Sequence, residues 1–179
     1  LAEQAKILWE EAEANNLDDK VKETSWRRWD TCGLCEQMHH GVVRCALGWA
    51  CWKTYLGRPE NEGRWALCAL GQGLSDAGHH EDALSAQEAE LSLGRRLGAS
   101  ENHILVVQIN LANTYAALGQ MEKALSMARD VYSGRLKLSG EEHLDTLIAA
   151  NNYADSLRIL KRFKEAKALL RKSIPVARR

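Results

Sequence analysis

The chain has 179 residues with 24 basic and 24 acidic side chains, so its formal net charge is zero and does not favour nucleic acid or an anionic membrane. Hydrophobic residues make up 45% of the sequence and charged residues 27%, which excludes a disordered chain and is typical of a folded, soluble protein. Only two prolines and one phenylalanine are present, and alanine, leucine, glutamate and lysine are plentiful, so the composition predicts an all-α fold.

The N-terminal part of the chain predicts three helices. The first covers 1–15, the second runs over about 20–37, and the third starts near 39–41 and ends at Tyr55. All six tryptophans lie in the first 65 residues. We favour packing in a core as their role, and an aromatic patch for a partner or for self-association is the alternative.

Cys32, Cys35, His39 and Cys45 form a cluster with the residue types of a zinc site. A CxxC pair followed by histidine offers thiolate and imidazole ligands for tetrahedral zinc. On a helix the first three would also form one stripe that packs against a neighbouring helix, so buried free thiols are the favoured interpretation. Five cysteines, an odd number confined to 32–68, argue against a complete disulfide framework and for a reducing, cytoplasmic location.

Small residues recur with one period from residue 57 onwards. The three sets, whose members are 41 or 42 positions apart, are Gly57, Gly98 and Gly140, then Gly78 and Gly119, then Ala83, Ala124 and Ala166. One period in three sets predicts tandem helix–turn–helix units. The predicted helices cover 61–77, 79–95, 102–118, 120–137, 143–160 and 162–177. The units are 57–97, 98–139 and 140–179, preceded by N-terminal helices and a degenerate repeat over 1–56, in one continuous solenoid.

Two stretches of the last unit, GEEHLDTLIAANNYADSL and RFKEAKALL, resemble the tetratricopeptide repeat in its long variety, as in kinesin light chains. Leu144, Leu157 and Lys161 depart from that pattern, which usually has proline, tyrosine and a turn glycine at these positions. The resemblance implies an all-α, right-handed superhelix of antiparallel helix pairs. It also implies that a peptide or protein segment binds in a concave groove lined by the first helix of each unit.

Placing this chain on the family pattern gives a set of expected groove residues. They are Trp65, Gln72, Asp76, Ile109, Asn113, Asn151, Asp155 and Arg158. Asparagine and glutamine amides donate and accept hydrogen bonds at once, so they suit an extended peptide backbone. The alternative for Asn113 and Asn151 is that both are merely solvated.

No motif for catalysis or for a cofactor is found in the sequence, so we expect a non-enzymatic scaffold with a protein or peptide partner. Binding to nucleic acid and membrane spanning are not expected. A metal-stabilised module built on the cysteine and histidine cluster is a second hypothesis. A third is a structural segment of a larger repeat protein that self-associates through exposed ends, which the absence of an initial methionine favours.

Overall fold

The computed structural model describes residues 1–58 and 60–177, the side chains of 60–61 and 174–177 excepted. These described residues form nine α-helices, one short 3-10 helix and no strand. In chain order they are α1 (Ala2–Ala14), α2 (Asp19–Trp26), the 3-10 helix (Arg27–Trp29), α3 (Gly41–Tyr55), α4 (Glu60–Asp76), α5 (His80–Arg96), α6 (Glu101–Ala117), α7 (Met121–Ser139), α8 (Leu144–Ile159) and α9 (Phe163–Ala177). The predicted all-α fold class is confirmed.

The chain divides into two compact units, Leu1–Leu93 and Gly94–Arg179. In the first unit, α1, α3 and α4 pack around an aromatic core that contains Trp9, Trp29 and Tyr55. A second cluster joins α3, α4 and α5 through apolar side chains such as Cys45, Leu70 and Ala83. The predicted division at residues 57, 98 and 140 stays a prediction, as does a continuous solenoid.

Two glycines allow α3 and α4 to pack unusually closely. A Cβ atom at Gly48 would lie 2.7 Å from the carbonyl oxygen of Ala69, and one at Gly73 would lie 2.6 Å from that of Arg44. Real Cβ atoms essentially never approach backbone atoms so closely. Gly48 of α3 and Gly73 of α4 therefore lie at the helix crossing, where there is no room for a larger residue.

In the second unit each helix packs against the next, from α6 to α9. The turns inside the two hairpins have left-handed backbone at Gly119 (φ 73°) and Lys161 (φ 59°). The following N–H groups donate back to Tyr115 and Leu157, both at 2.8 Å, and so satisfy carbonyls at the helix ends. Lys161 therefore adopts the conformation that glycine has in the preceding hairpin.

The six helices predicted from 61 to 177 agree with α4 to α9 to within two residues at each end. The helix predicted over 20–37 is wrong, because α2 ends at Trp26 and a hairpin-shaped loop replaces its second half. In that loop Thr31 pairs with Met38, and Glu36 has left-handed backbone at φ 57°. The predicted helix would have used Leu34 in its apolar stripe. In the structure this side chain is 98% exposed, so it is not buried against the rest of the unit.

No helix in the described part of the chain is both long enough and apolar enough for a membrane span.

Candidate functional site

Four predicted groove residues of the second unit line one cavity of about 190 Å³. They are Ile109 and Asn113 from α6 and Asn151 and Asp155 from α8. The apolar part of the lining also includes Ala112, Ala116, Ala128, Val131, Ala149 and Ile159. Asn152 and Ser156 add further polar groups. The cavity thus combines an apolar lining with three asparagine amides.

Helical periodicity explains why each helix contributes two of these side chains to the cavity. Ile109 and Asn113 are one turn apart on α6, and Asn151 and Asp155 are one turn apart on α8, so each pair lies on one face. The other side of α6 is buried through residues such as Leu111. Burial of that side orients Asn113 outward, where its side chain is exposed. The amphipathic pattern of α6 therefore decides which of its polar groups reach the cavity.

A second cavity of about 550 Å³ shares Asn151 and Asp155 with the first and adds Arg158. Its remaining lining comes mainly from α9 and includes Phe163, which is 60% exposed. Arg158 and Asp155 form an ion pair at 2.7 Å, and both side chains are more than half exposed. Such a pair stabilises the fold little, so both groups are available to a ligand.

The predicted groove residues of the first unit lie in other surroundings. Trp65 packs among tryptophans, with ring centroids 5.4 Å from Trp9 and 5.2 Å from Trp26. The amide oxygen of Gln72 accepts a hydrogen bond from Arg44, and Asp76 lies 3.2 Å from the same guanidinium. Gln72 and Asp76 thus hold a buried cation within the unit.

The structure separates the residues of the predicted metal cluster. Cys32, Cys35 and His39 lie in the loop after the 3-10 helix, whereas Cys45 is buried in α3 against the core. The prediction that Cys32, Cys35 and His39 form one stripe on a helix is therefore wrong. Among the residues that the structure describes, no three His, Cys, Asp or Glu side chains are grouped to hold a metal ion.

The loop nevertheless changes the chemistry of Cys32. Hydrogen bonds from the backbone N–H groups of Cys35 and Leu34, and from the Cys35 side chain, lower the pKa of the Cys32 thiol because they stabilise its thiolate. Cys51, in the core of the same unit, is the opposite case, since burial raises the pKa of its thiol. The two cysteines therefore differ in reactivity for a physical reason.

Sequence reasoning missed two buried arginines, Arg44 and Arg135. Arg44 contacts Gln72, Asp76 and Asp30, the last at 3.6 Å. Arg135 occupies the buried face of α7, one turn after Val131. A charged residue at an apolar position of an amphipathic helix is the pattern that could have identified it.

Comparison with known proteins agrees with this architecture. Residues 103–179 match the family model described as Tetratricopeptide repeat. Over these residues the chain is similar to tetratricopeptide repeats. In them α6 pairs with α7 and α8 with α9, and the cavity lies on the first helix of each pair. The predicted resemblance is confirmed.

A solved structure extends the likeness beyond the matched repeats. The kinesin light chain-like tetratricopeptide-repeat protein BtubC (BKLC) from P. vanneervenii is similar to this chain with a TM-score of 0.66. The match covers 98% of this chain and 71% of that one at 14% sequence identity, so it shows the fold alone. No curated protein sequence matches the chain.

Proposed function

We propose that this chain is a non-enzymatic scaffold that binds a peptide or protein segment along α6 and α8. Tetratricopeptide repeats generally serve as protein-interaction folds. The observation that supports this site is the position of Asn113 and Asn151. Both side chains are exposed, and both line one cavity whose other walls are largely apolar.

The chemistry of the cavity suits an extended segment. Each asparagine amide offers a carbonyl acceptor and N–H donors, which match the alternating donors and acceptors of a peptide backbone. Ile109 and Ile159 supply apolar surface for a side chain of the segment. The ion pair of Asp155 and Arg158 lies next to this surface and adds one charge of each sign. A neutral segment with an apolar anchor is the ligand that this combination favours.

For Trp65, Gln72 and Asp76 a contribution to a groove stays a prediction. The contacts of Gln72 and Asp76 with Arg44 give them a structural role, so the proposal depends on the second unit.

The test begins with peptides selected on the full chain from a random peptide library. Binding of a selected peptide is then measured by fluorescence anisotropy to the original protein and to the Asn113→Ala, Asn151→Ala double variant. Loss of two amides that bond the peptide backbone is expected to weaken binding about tenfold or more. The control is Gln4→Ala, which removes an exposed amide of α1 outside the cavity.

Circular dichroism of the double variant should be unchanged, because both side chains are exposed and alanine favours helix. Unaltered affinity of a folded double variant for every selected peptide would exclude this groove as the binding site. An equal loss with Gln4→Ala would also contradict the assignment, since that residue does not line the cavity.

A further inference from the structure

The first unit contains a separate cavity of about 620 Å³ between α1, α2 and the start of α4. Trp9, Trp26 and Trp65 line it, one from each helix. Trp9 meets the other two rings edge to face, with centroids 5.1 Å and 5.4 Å away. Trp9 is 4% exposed, whereas Trp26 and Trp65 are only partly buried. The cavity therefore has an aromatic wall in which two indoles remain accessible.

The rest of the lining is predominantly acidic. Glu13, Asp19, Glu23 and Glu62 contribute carboxylates, and Lys22 is the one cation among the lining residues that the structure describes. The formal charge of these five groups is therefore negative. Two interactions therefore favour a cation in this cavity. The carboxylates attract it by their charge, and the indole faces attract it through the ring quadrupoles.

Some of this charge is already paired, but weakly. Lys22 lies 2.9 Å from Glu13, and Arg27 lies 2.9 Å from Glu23. The carboxylates of Glu13 and Glu23 are 46% and 66% exposed, so water screens both pairs and an entering cation can replace either partner.

Glu62 supplies the most specific feature of the cavity. Its Oε1 accepts a hydrogen bond of 3.4 Å from the indole Nε1 of Trp9. Its Oε2 is buried and has no hydrogen-bond partner among the described residues. A buried carboxylate oxygen without a donor is unfavourable, and a donor that enters the cavity would remove that cost.

We propose that this cavity binds the arginine side chain of a partner protein segment. The site lies in the first unit and is independent of the peptide groove proposed on α6 and α8. The occupant follows from charge complementarity, since the described lining offers four carboxylates and indole faces against one cation, Lys22, which is itself paired with Glu13.

Arginine suits the site better than lysine. Its guanidinium is flat and weakly hydrated, so it stacks on an indole while its N–H groups reach carboxylates in the plane. One edge could donate to Glu62 while the face lies against Trp26 or Trp65. An internal example is present, because the guanidinium carbon of Arg64 lies 6.0 Å from the centroid of the Trp65 ring. Lysine would supply the charge without the planar contact.

The experiment titrates the full chain with acetyl-Gly-Arg-Gly-amide and follows the indole N–H resonances by NMR. The matched peptide with citrulline has almost the same shape and no charge. The arginine peptide is expected to shift the signals of Trp9, Trp26 and Trp65 in a saturable way. The citrulline and lysine peptides are expected to bind about fivefold more weakly or worse.

The matched variants are Glu62→Gln and Glu11→Gln. The first removes the carboxylate charge of Glu62 and is expected to weaken the binding of the arginine peptide about fivefold. The second changes an exposed glutamate of α1 that does not line the cavity and should leave binding unchanged. If Glu62→Gln does not fold, the comparison of the arginine and citrulline peptides on the original protein still tests whether the cavity binds the guanidinium charge.

Three results would overturn the proposal. They are no saturable shift of the indole signals, citrulline or lysine binding as tightly as arginine, and a folded Glu62→Gln variant that binds arginine as before. None of them depends on Asn113 or Asn151, so failure here is distinguishable from failure of the proposed peptide groove.

Discussion

The guanidinium of Arg135 in α7 lies 3.3 Å from the carboxylate of Asp145 in the first turn of α8. The same nitrogen donates a hydrogen bond to the side-chain oxygen of Asn102 in α6. Arg135 is 5% exposed, and its backbone carbonyl accepts from the hydroxyl of Thr146 at 3.2 Å. One buried residue therefore joins three successive helices, including both helices of the proposed peptide groove.

Replacing Arg135 by methionine is expected to lower the free energy of unfolding by about 1–3 kcal/mol. Methionine keeps much of the apolar packing but leaves Asn102 and Asp145 without their shared donor. The partly exposed carboxylate of Asp145 regains water, which keeps the loss below that of a fully buried charge. Urea unfolding of the full chain, followed by circular dichroism, measures the difference.

The control on the same helix is Arg129→Met. Arg129 is 60% exposed at its side chain, and its ion-pair partner within the described residues is its neighbour Asp130, at 3.7 Å. Its replacement should change stability by less than about 0.5 kcal/mol. If the two variants unfolded at the same urea concentration, the contacts of Arg135 would not contribute to stability.

Gly73→Ala is expected to destabilise the first unit although alanine is the better helix former. The added methyl carbon would meet the carbonyl oxygen of Arg44 at 2.6 Å, and backbone atoms of α3 cannot move aside as a side chain can. Separation of the two helices should cost about 1–3 kcal/mol, measured by thermal or urea unfolding.

Gly63→Ala tests the same substitution in the same helix without the crossing. Apart from the neighbouring residues and backbone of its own helix, no described atom lies within 4 Å of a Cβ built at Gly63, so the methyl group meets open space. Helix propensity should then stabilise the protein by about 0.5–1 kcal/mol. If Gly73→Ala lowers the free energy of unfolding and Gly63→Ala raises it, the close crossing of α3 and α4 is established. Equal effects of the two substitutions would contradict it.

Iodoacetamide is expected to alkylate Cys32 of the folded protein long before Cys51. The lowered pKa of Cys32 makes more of the reactive thiolate available near neutral pH, and Cys32 lies in a partly exposed loop. Cys51 is fully buried, and the burial that raises its pKa also blocks the reagent. Mass spectrometry of peptides after timed labelling gives both rates.

The pH dependence supplies the control for Cys32. As pH rises, its labelling rate should level off at a lower pH in the folded protein than in urea, where the thiol returns to its ordinary pKa. The same midpoint in both states would show that the loop does not stabilise the thiolate. Labelling of Cys51 at comparable speed without unfolding would contradict its burial.

The amino-acid sequence by itself determined the repeat and the helices from α4 to α9. Glycines at fixed separations place left-handed turns such as that at Gly119, and apolar residues between them have helical spacing. Each turn and each helix depends on the residues next to it in the chain, which is why the predicted helix ends agree with the structure to within two residues. Even Lys161, which lacks the expected glycine, adopts the same turn because the flanking helices require it.

The loop after the 3-10 helix was not predictable in the same way. Residues of 20–37 have acceptable helical spacing, but Leu34 finds no surface to pack against. The choice between a helix and a hairpin there depends on what the rest of the unit can bury. The position of Cys45 in the core, apart from Cys32 and Cys35, was decided by the same packing.

Only the tertiary structure decided the partners of the buried arginines and the content of both cavities. Arg44 and Asp76 are 32 positions apart, and Arg135 and Asn102 are 33 positions apart. No local pattern links residues at such separations, because their contact depends on how successive helices are rotated and how closely they cross. The resemblance to the repeat family predicted Asn113 and Asn151 as groove residues, and the packing of α6 against α7 and of α7 against α8 brought them to one cavity.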